Sequence, residues 1–556
     1  MFRSITTNSV FCDLTCGAMP RNQYQTGRTS TLMNVQTAEH GTNAAASSSG
    51  LPKFTALIYT RLRSQAAETA GHFQRVGLAT VLNNQSVVRF ESGFARLPKP
   101  APSRDASGSL TYWAGLGIAL LACILSTYLI VTSLCAAYRF YCPAPYGDMW
   151  WFVRDMARWN NHQVGLRYLW DQHSEHRIVL PRLIFWADVH LDHFRGLFTI
   201  LCSSLLLAGE GLLLCFAFGC VAKDNSASKL AYAALVFGMM FSASQIENLM
   251  FPFQVQFPLA FFAASASIFL ILRHCWAAEH RRSNLVAGIV AAVCATLSLG
   301  CGLLVWPLLL LICVLERSAK RTLWTVGIAG ITMWVIYFVG YVSPGDSARP
   351  WLSLGHPGQA AAFMLMFLVS ALHSTPFPFA SVLGLLLLLA VATGILVCLR
   401  SGSAPLRKNN AFFIYLALFI IATAVLTSLC RVNYGIEEAT AIRYRLPVLV
   451  FWACIIALAS SFSLLNTHPA FCSLAAPITV LLFLVLALIP AQPPTISYFG
   501  NVSRQINMDS NALALSASDR TCHDLFGLRP DLVRSYSPFL RQHQLALFAD
   551  PSFHRK

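Results

Sequence analysis

Between the first two long apolar runs of this chain lies a segment, residues 139–195, whose side chains can do chemistry. It holds Asp148, Asp155, Asp171, Glu175, His173, His176 and Arg177 together with five Trp. Ionisable groups are costly beside hydrocarbon, so this concentration marks a site rather than a connector. Asp148 follows Tyr146-Gly147 and precedes an amphipathic run. It suits a helix N-cap and equally a catalytic carboxylate at a membrane–water boundary; the two readings are compatible. Phe152, Met156, Trp159, Leu166 and Trp170 recur at near-helical spacing. The span Trp150–Trp170 is therefore expected to lie as a helix on the outer membrane surface.

The run Asp171-Gln-His-Ser-Glu-His-Arg177 is denser still. Glu175, His176 and Arg177 suit a metal, mutual ion pairing or a polar headgroup. His173 and His176 are three apart, which can put two metal ligands on one helical face. No further ligands are evident in the sequence, so no metal and no cofactor is assigned. Glu247 and Asn248 stand in an apolar context with Gln245, Gln254 and Gln256, as a polar cavity lining or as snorkelling boundary residues. The loop 431–445 carries Arg431, Arg443 and Arg445. They suit a lipid phosphate, which a planar guanidinium binds well, or pairing with Glu437 and Glu438.

These residues must be positioned by membrane-spanning helices. Of 556 residues, 56% are hydrophobic and 12% charged, whereas soluble domains carry about 25% charge. The mean hydropathy is +0.56. Continuous apolar runs recur from about 111 to 490, each near the length a bilayer demands; an alternating β-barrel pattern is absent. The net charge of +16 lies largely in the N-terminal tail and in short loops, so it is read as a topology signal and not as nucleic-acid binding. The 17 Cys show no metal spacing. Cys142 and Cys522 both fall in segments assigned outside, which leaves a disulfide between them open.

The expected spans are 111–138, 196–221, 229–244, 256–273, 284–299, 302–315, 322–343, 377–399, 411–430, 446–465 and 471–490. Basic residues Arg273, Arg281, Arg282, then Arg317, Lys320, Arg321, then Arg400, Arg407, Lys408 place three loops in the cytoplasm. Parity makes 284–315 a hairpin of two short helices and 358–375 a re-entrant or interfacial helix ending at His373–Pro378. The fold class is an all-α membrane protein of about 11 spans, range 10–13, with the N-terminus cytoplasmic and the C-terminus outside. Its parts are a disordered basic tail (1–107), a polytopic domain (108–490) with the extracytoplasmic loop 139–195, and a small extracytoplasmic cap (491–556). The tail's Arg-rich, acid-poor composition also fits a transit peptide.

An acid on the first outside loop, interfacial helices after it and Arg on the last outside loop resemble the GT-C superfamily of polytopic glycosyltransferases. More narrowly, the chain resembles a group of uncharacterised bacterial integral membrane proteins. That likeness rests on Gly147-Asp148, His173-Ser-Glu-His-Arg177, Gln245-Ile-Glu-Asn248 with Phe253-Gln254, Gly302-Leu-Leu-Val-Trp306-Pro307 and Arg443-Tyr444. It covers most of 111–490. The resemblance implies an inner (plasma) membrane enzyme that takes a sugar from a polyprenyl-phosphate carrier to an acceptor on the outer face. It would work with lipid as its solvent and without nucleic acid. Asp148 would be the base, with Glu175 orienting substrate. His173, His176, Arg177, Glu247, Asn248, Arg431, Arg443 and Arg445 would bind donor or acceptor. No Asp-Xaa-Asp motif occupies the first loop, which favours a metal-independent mechanism. The alternative class is a transporter or flippase of a lipid-linked sugar or other polar lipid, for which Glu210, inside an apolar run, is the proton-coupling candidate.

Overall fold

A computed structural model describes residues 106–549 apart from 223–224, 278–280, 344–352, 354, 373–376, 401–403, 464–468, 516–517 and 528. The N-terminal tail, most of the loop 344–357 and most of the expected break at His373–Pro378 lie outside the described residues. Among those residues the architecture is all-helical, with one isolated backbone bridge between His173 and His176.

Among the described residues eight helices are long and apolar enough to cross a membrane. They are joined by a ninth candidate, the pair Ser226–Phe241 and Ala243–Met250, bent by 44° at Ser242. The expected hairpin 284–315 forms two helices, Arg282–Thr296 and Val305–Leu315, linked by a 3-10 turn at Gly300–Leu304. Each is shorter than the roughly 20 residues a bilayer needs, so eight or nine candidate spans stand among the described residues where eleven spans were expected. A further short apolar helix covers Pro357–Val369. The chain stays helical from Leu474 to Ala514, through a π-helical turn at Leu484–Leu488.

In chain order, the elements that build the site are α1 (Ala106–Phe140), α2 (Met149–Asn160), α3 (Val179–Asp192), α4 (Leu197–Val221), α5 (Gln256–Trp276), α6 (Val305–Leu315), α7 (Lys320–Phe338), α8 (Ala404–Arg431), α9 (Arg445–Ser463) and α10 (Ile489–Leu515). One large apolar core runs through the bundle, from Leu129 and Leu207 to Trp306, Phe413 and Phe451. Gln492 ties three parts of it together. Its amide donates to the Leu129 carbonyl at 3.0 Å and to Thr132 and Ser133 Oγ at 2.8 Å, while its Oε1 accepts from Ala243 N–H at 2.8 Å. The α1 helix, the bent span and α10 are thereby held in register beneath the site.

A second core sits at one end. The apolar face of α2 (Trp150, Phe152, Val153, Met156) packs with Phe185 of α3 and with the C-terminal helices Asp519–Leu525 and Pro530–Gln542 through Leu525, Leu532, Val533 and Leu540. The amphipathic pattern of Trp150–Trp170 is thus satisfied by the C-terminal cap, which leaves Trp150 with no exposed surface; the expected membrane-surface helix is corrected to a cap-covered one. Periodicity says that one face must be buried, but not what buries it. Cys142 and Cys522 are both free thiols, Cys142 beside Ser510 at 3.8 Å, so they form no disulfide.

Candidate active site

Gly147 adopts a positive φ of 56°, a conformation that costs an L-residue free energy but not glycine. Its N–H donates to the Leu525 carbonyl of the cap at 3.1 Å. The chain turns there, and α2 starts one residue after Asp148. Asp148 occupies the N-cap position, yet its carboxylate accepts no helix N–H. It faces His173 instead, with Oδ2 at 3.8 Å from Nε2. Although 48% of the Asp148 side chain stays accessible, enough protein surrounds it that desolvation is the largest influence and raises its pKa. His173, then Arg443 and Arg431, outweigh that and hold the carboxyl below its ordinary value. Asp148 is therefore ionised at neutral pH, in a recess between the first loop and the last.

His173 and His176 are not on a helix. Each backbone N–H donates to the other's carbonyl at 2.8 Å, closing a tight turn with Ser174 at φ 46°. That geometry takes the two side chains off any common helical face, the arrangement their spacing of three would allow. Among the described residues no group of three His, Cys, Asp or Glu converges as a metal site would. The turn instead presents Glu175, which forms an ion pair with Arg431 at the end of α8. Burial raises the Glu175 pKa; His176 and Arg431 lower it further, so the net direction is down. His176 Nδ1 accepts the Gly300 N–H at 3.2 Å, and its Nε2 lies 3.6 Å from Glu175. Burial drives the His176 pKa down to about 4, so the ring is a neutral acceptor that joins the first loop to the hairpin tip.

Arg177 is placed differently. It is 3% exposed, and its guanidinium donates to the carbonyls of Tyr337 and Val339 at 2.7 Å and of Trp170 at 2.5 Å. It clamps the loop to the end of α7. Arg445 is also buried, with Nη2 3.5 Å from the Thr440 carbonyl. Arg443 pairs with Glu438, as the sequence allowed, whereas Arg431 pairs with Glu175 and not with Glu437 or Glu438. In both pairs a single nitrogen, Nη2, of the five-donor fork meets the carboxylate.

The break in the bent span supplies the third wall. Glu247 Oε1 accepts from Gln254 at 2.8 Å, and Arg443 and Glu438 are its charged neighbours. Asn248 donates to Gln245 Oε1 at 2.7 Å. Five buried side-chain atoms here have no hydrogen-bond partner among the described residues: Glu175 Oε2, Gln245 Nε2, Asn248 Oδ1, Gln254 Oε1 and Gln256 Oε1. Unsatisfied buried polar atoms are rare and costly, so a cluster of them marks a place made for water or a ligand.

The first loop, the broken span and the last loop thus bring together Asp148, His173, Glu175, His176, Glu247, Asn248, Arg431 and Arg443. Glu438, Tyr337 and Gly300 complete the constellation. Tyr337 OH donates to the Glu175 carbonyl at 3.3 Å. Nothing in the sequence around Tyr337, inside an apolar run, singles it out. Set beside known protein families, curated proteins and solved structures, the chain matches none of them. What the fold and site define by themselves, among the described residues, is an all-helical protein with several helices long and apolar enough to cross a membrane and a charged recess where the first loop, the broken span and the last loop meet.

Proposed function

We propose that the protein is a membrane glycosyltransferase that moves a sugar from a polyprenyl-phosphate carrier to an acceptor hydroxyl at the outer face. The observation that carries this reading is the pairing of opposites in one recess. An ionised carboxylate, Asp148, is spared from helix capping, and two guanidiniums, Arg431 and Arg443, lie close enough to lower its pKa. Asp148 takes the proton of the acceptor hydroxyl as the hydroxyl oxygen attacks the anomeric carbon. The bond from that carbon to the phosphate oxygen breaks, and the phosphate leaves with the electron pair. Arg431 and Arg443 hold the departing charge with the donors not engaged by Glu175 and Glu438. Amides at the broken span, Gln245, Asn248 and Gln254, offer the donor sugar unpaired hydrogen-bonding atoms.

The test is release of lipid phosphate from a panel of radiolabelled polyprenyl-phosphate sugars by the protein in nanodiscs. Turnover of at least one donor, lost in Asp148→Asn, supports the assignment. Donor binding without turnover would move the reading to a lipid-linked-sugar transporter. Glu210 favours that second reading: it is buried inside α4, bonded by Ser265 at 2.8 Å, with Oε2 unpartnered among the described residues.

A further inference from the structure

A cavity of about 180 Å³ lies against Asp148 and His173. Asp148 and His173 line both this cavity and the recess, whereas Arg431, Arg443, Glu175 and Glu247 do not line the cavity, so it extends from the recess on the side away from those groups. Its polar wall includes Arg154 and Asp155 of α2, Arg182 of α3 and the loop residues Gln172 and Ser174, and its apolar wall includes Phe185 and Phe253. Asp155 is 5% exposed and Arg182 4% exposed.

Both buried charges are only half used. Arg154 Nε and Nη2 donate to the same oxygen of Asp155, Oδ1, at 2.8 and 2.6 Å. Arg182 bonds through Nη1 alone, to the carbonyls of Leu169 at 3.1 Å and of Asp171. Asp155 Oδ2 and Arg182 Nε and Nη2 have no partner among the described residues, and they are not among the atoms sealed from solvent. A carboxylate oxygen and two guanidinium nitrogens are therefore without a protein partner on residues that line one cavity. Water can reach these groups, and a molecule that enters and replaces that water with matched hydrogen bonds finds its partners already in place.

The lining selects the class of molecule. Asp148 and Asp155 balance Arg154 and Arg182, so the cavity has no net charge to attract a free anion or an amine. It offers an acceptor and donors side by side above aromatic edges. Neighbouring hydroxyls on a ring fit both halves, each giving and taking one hydrogen bond, while the C–H face of the ring meets Phe185 and Phe253. The volume holds roughly six water volumes, enough for one ring and too little for two. We infer that this cavity binds a single neutral sugar ring of the acceptor, placing one of its hydroxyls at Asp148. The word acceptor rests on the transferase reading; binding of the ring does not.

The experiment is saturation-transfer NMR of the full-length protein in nanodiscs with the methyl glycosides of glucose, galactose and mannose, and with inorganic phosphate as competitor. The expected result is that at least one glycoside binds and that phosphate does not displace it. Asp155→Asn, which keeps the shape, weakens binding at least about tenfold, the scale of a hydrogen bond to a charged group. Ile178→Trp, which fills the cavity from its lining, abolishes binding. No binding by any glycoside, displacement by phosphate, or binding unchanged in Asp155→Asn overturns the inference. Should Ile178→Trp fail to fold, Asp155→Asn alone decides. Glycoside binding that persists where no donor is turned over would keep the sugar site and remove the transferase.

Discussion

The two ends of the bundle each carry a carboxylate among basic and aromatic partners, and they differ in what is left over. Helices α5, α6 and α8 each have one terminus at the recess and the other at a cluster around Glu316. There, Tyr415 OH donates to Glu316 Oε1 at 3.1 Å, while Trp276 Nε1 and Arg407 Nη2 donate to Oε2 at 3.0 and 2.9 Å. His274 bridges Thr322 and the Arg281 carbonyl at 3.1 and 3.2 Å. Every oxygen of Glu316 is spoken for. At the recess, Glu175 keeps one oxygen without a partner, the broken span adds four amide atoms in the same condition, and a cavity opens beside Asp148. A fully satisfied polar network rigidifies a fold. A half-satisfied one persists only where something else pays for it, and here five such atoms gather at the recess, against the single Asn410 Oδ1 near the Glu316 end of α8.

That contrast can be broken in several ways. Asp148→Asn should lower lipid-phosphate release by roughly 10³-fold, within the range for a lost general base, with an unfolding midpoint near wild type. Glu316→Gln should do the reverse, costing about 2–4 kcal/mol by stranding Arg407 and the Trp276 N–H, with turnover retained; equilibrium unfolding in detergent measures it. Arg431→Gln leaves Glu175 uncompensated in a part-buried site. It should cost about 2–3 kcal/mol and slow turnover, and Glu175→Gln in the same chain should recover part of the stability but not the turnover. The double-mutant cycle reads that coupling.

A smaller effect concerns pH. His176 is held at about 4 against an ordinary 6.5, so between those values the unfolded chain binds a proton that the folded chain refuses. Stability is intact above pH 6.5 and falls as pH drops toward 4, by up to roughly 3 kcal/mol. His176→Asn, whose side-chain oxygen can still accept the Gly300 N–H, should flatten that fall, as denaturant midpoints at pH 7 and 4.5 would show. The smallest expected change is Gly147→Ala. Its Cβ meets nothing within 4 Å, so only the backbone strain remains, about 1 kcal/mol.

Much of this arrangement was legible in the residues. The dense loop, the polar break after Ser242 and the Arg-bearing last loop were readable because charge in an apolar chain has few innocent uses. Parity from basic loops anticipated the hairpin whose tip meets His176. What the residues could not reveal is who partners whom. Arg177 and Arg431 look alike in sequence, yet one clamps backbone carbonyls and the other faces a carboxylate. The α2 stripe announced a buried face, and only the tertiary structure shows the C-terminal cap on it. Asp155 is one charge among several in the dense loop and nothing in the sequence marks Arg182, because their unspent atoms emerge only when α2 and α3 pack. The span count fell because apolar composition continues where helix length does not.

The most direct test of the central claim compares Asp148→Asn and Glu316→Gln side by side, following polyprenyl-phosphate release from one donor in nanodiscs. Near-complete loss is expected in the first with its fold intact, and retained release from a less stable protein in the second. Release from Asp148→Asn at the wild-type rate would contradict that claim.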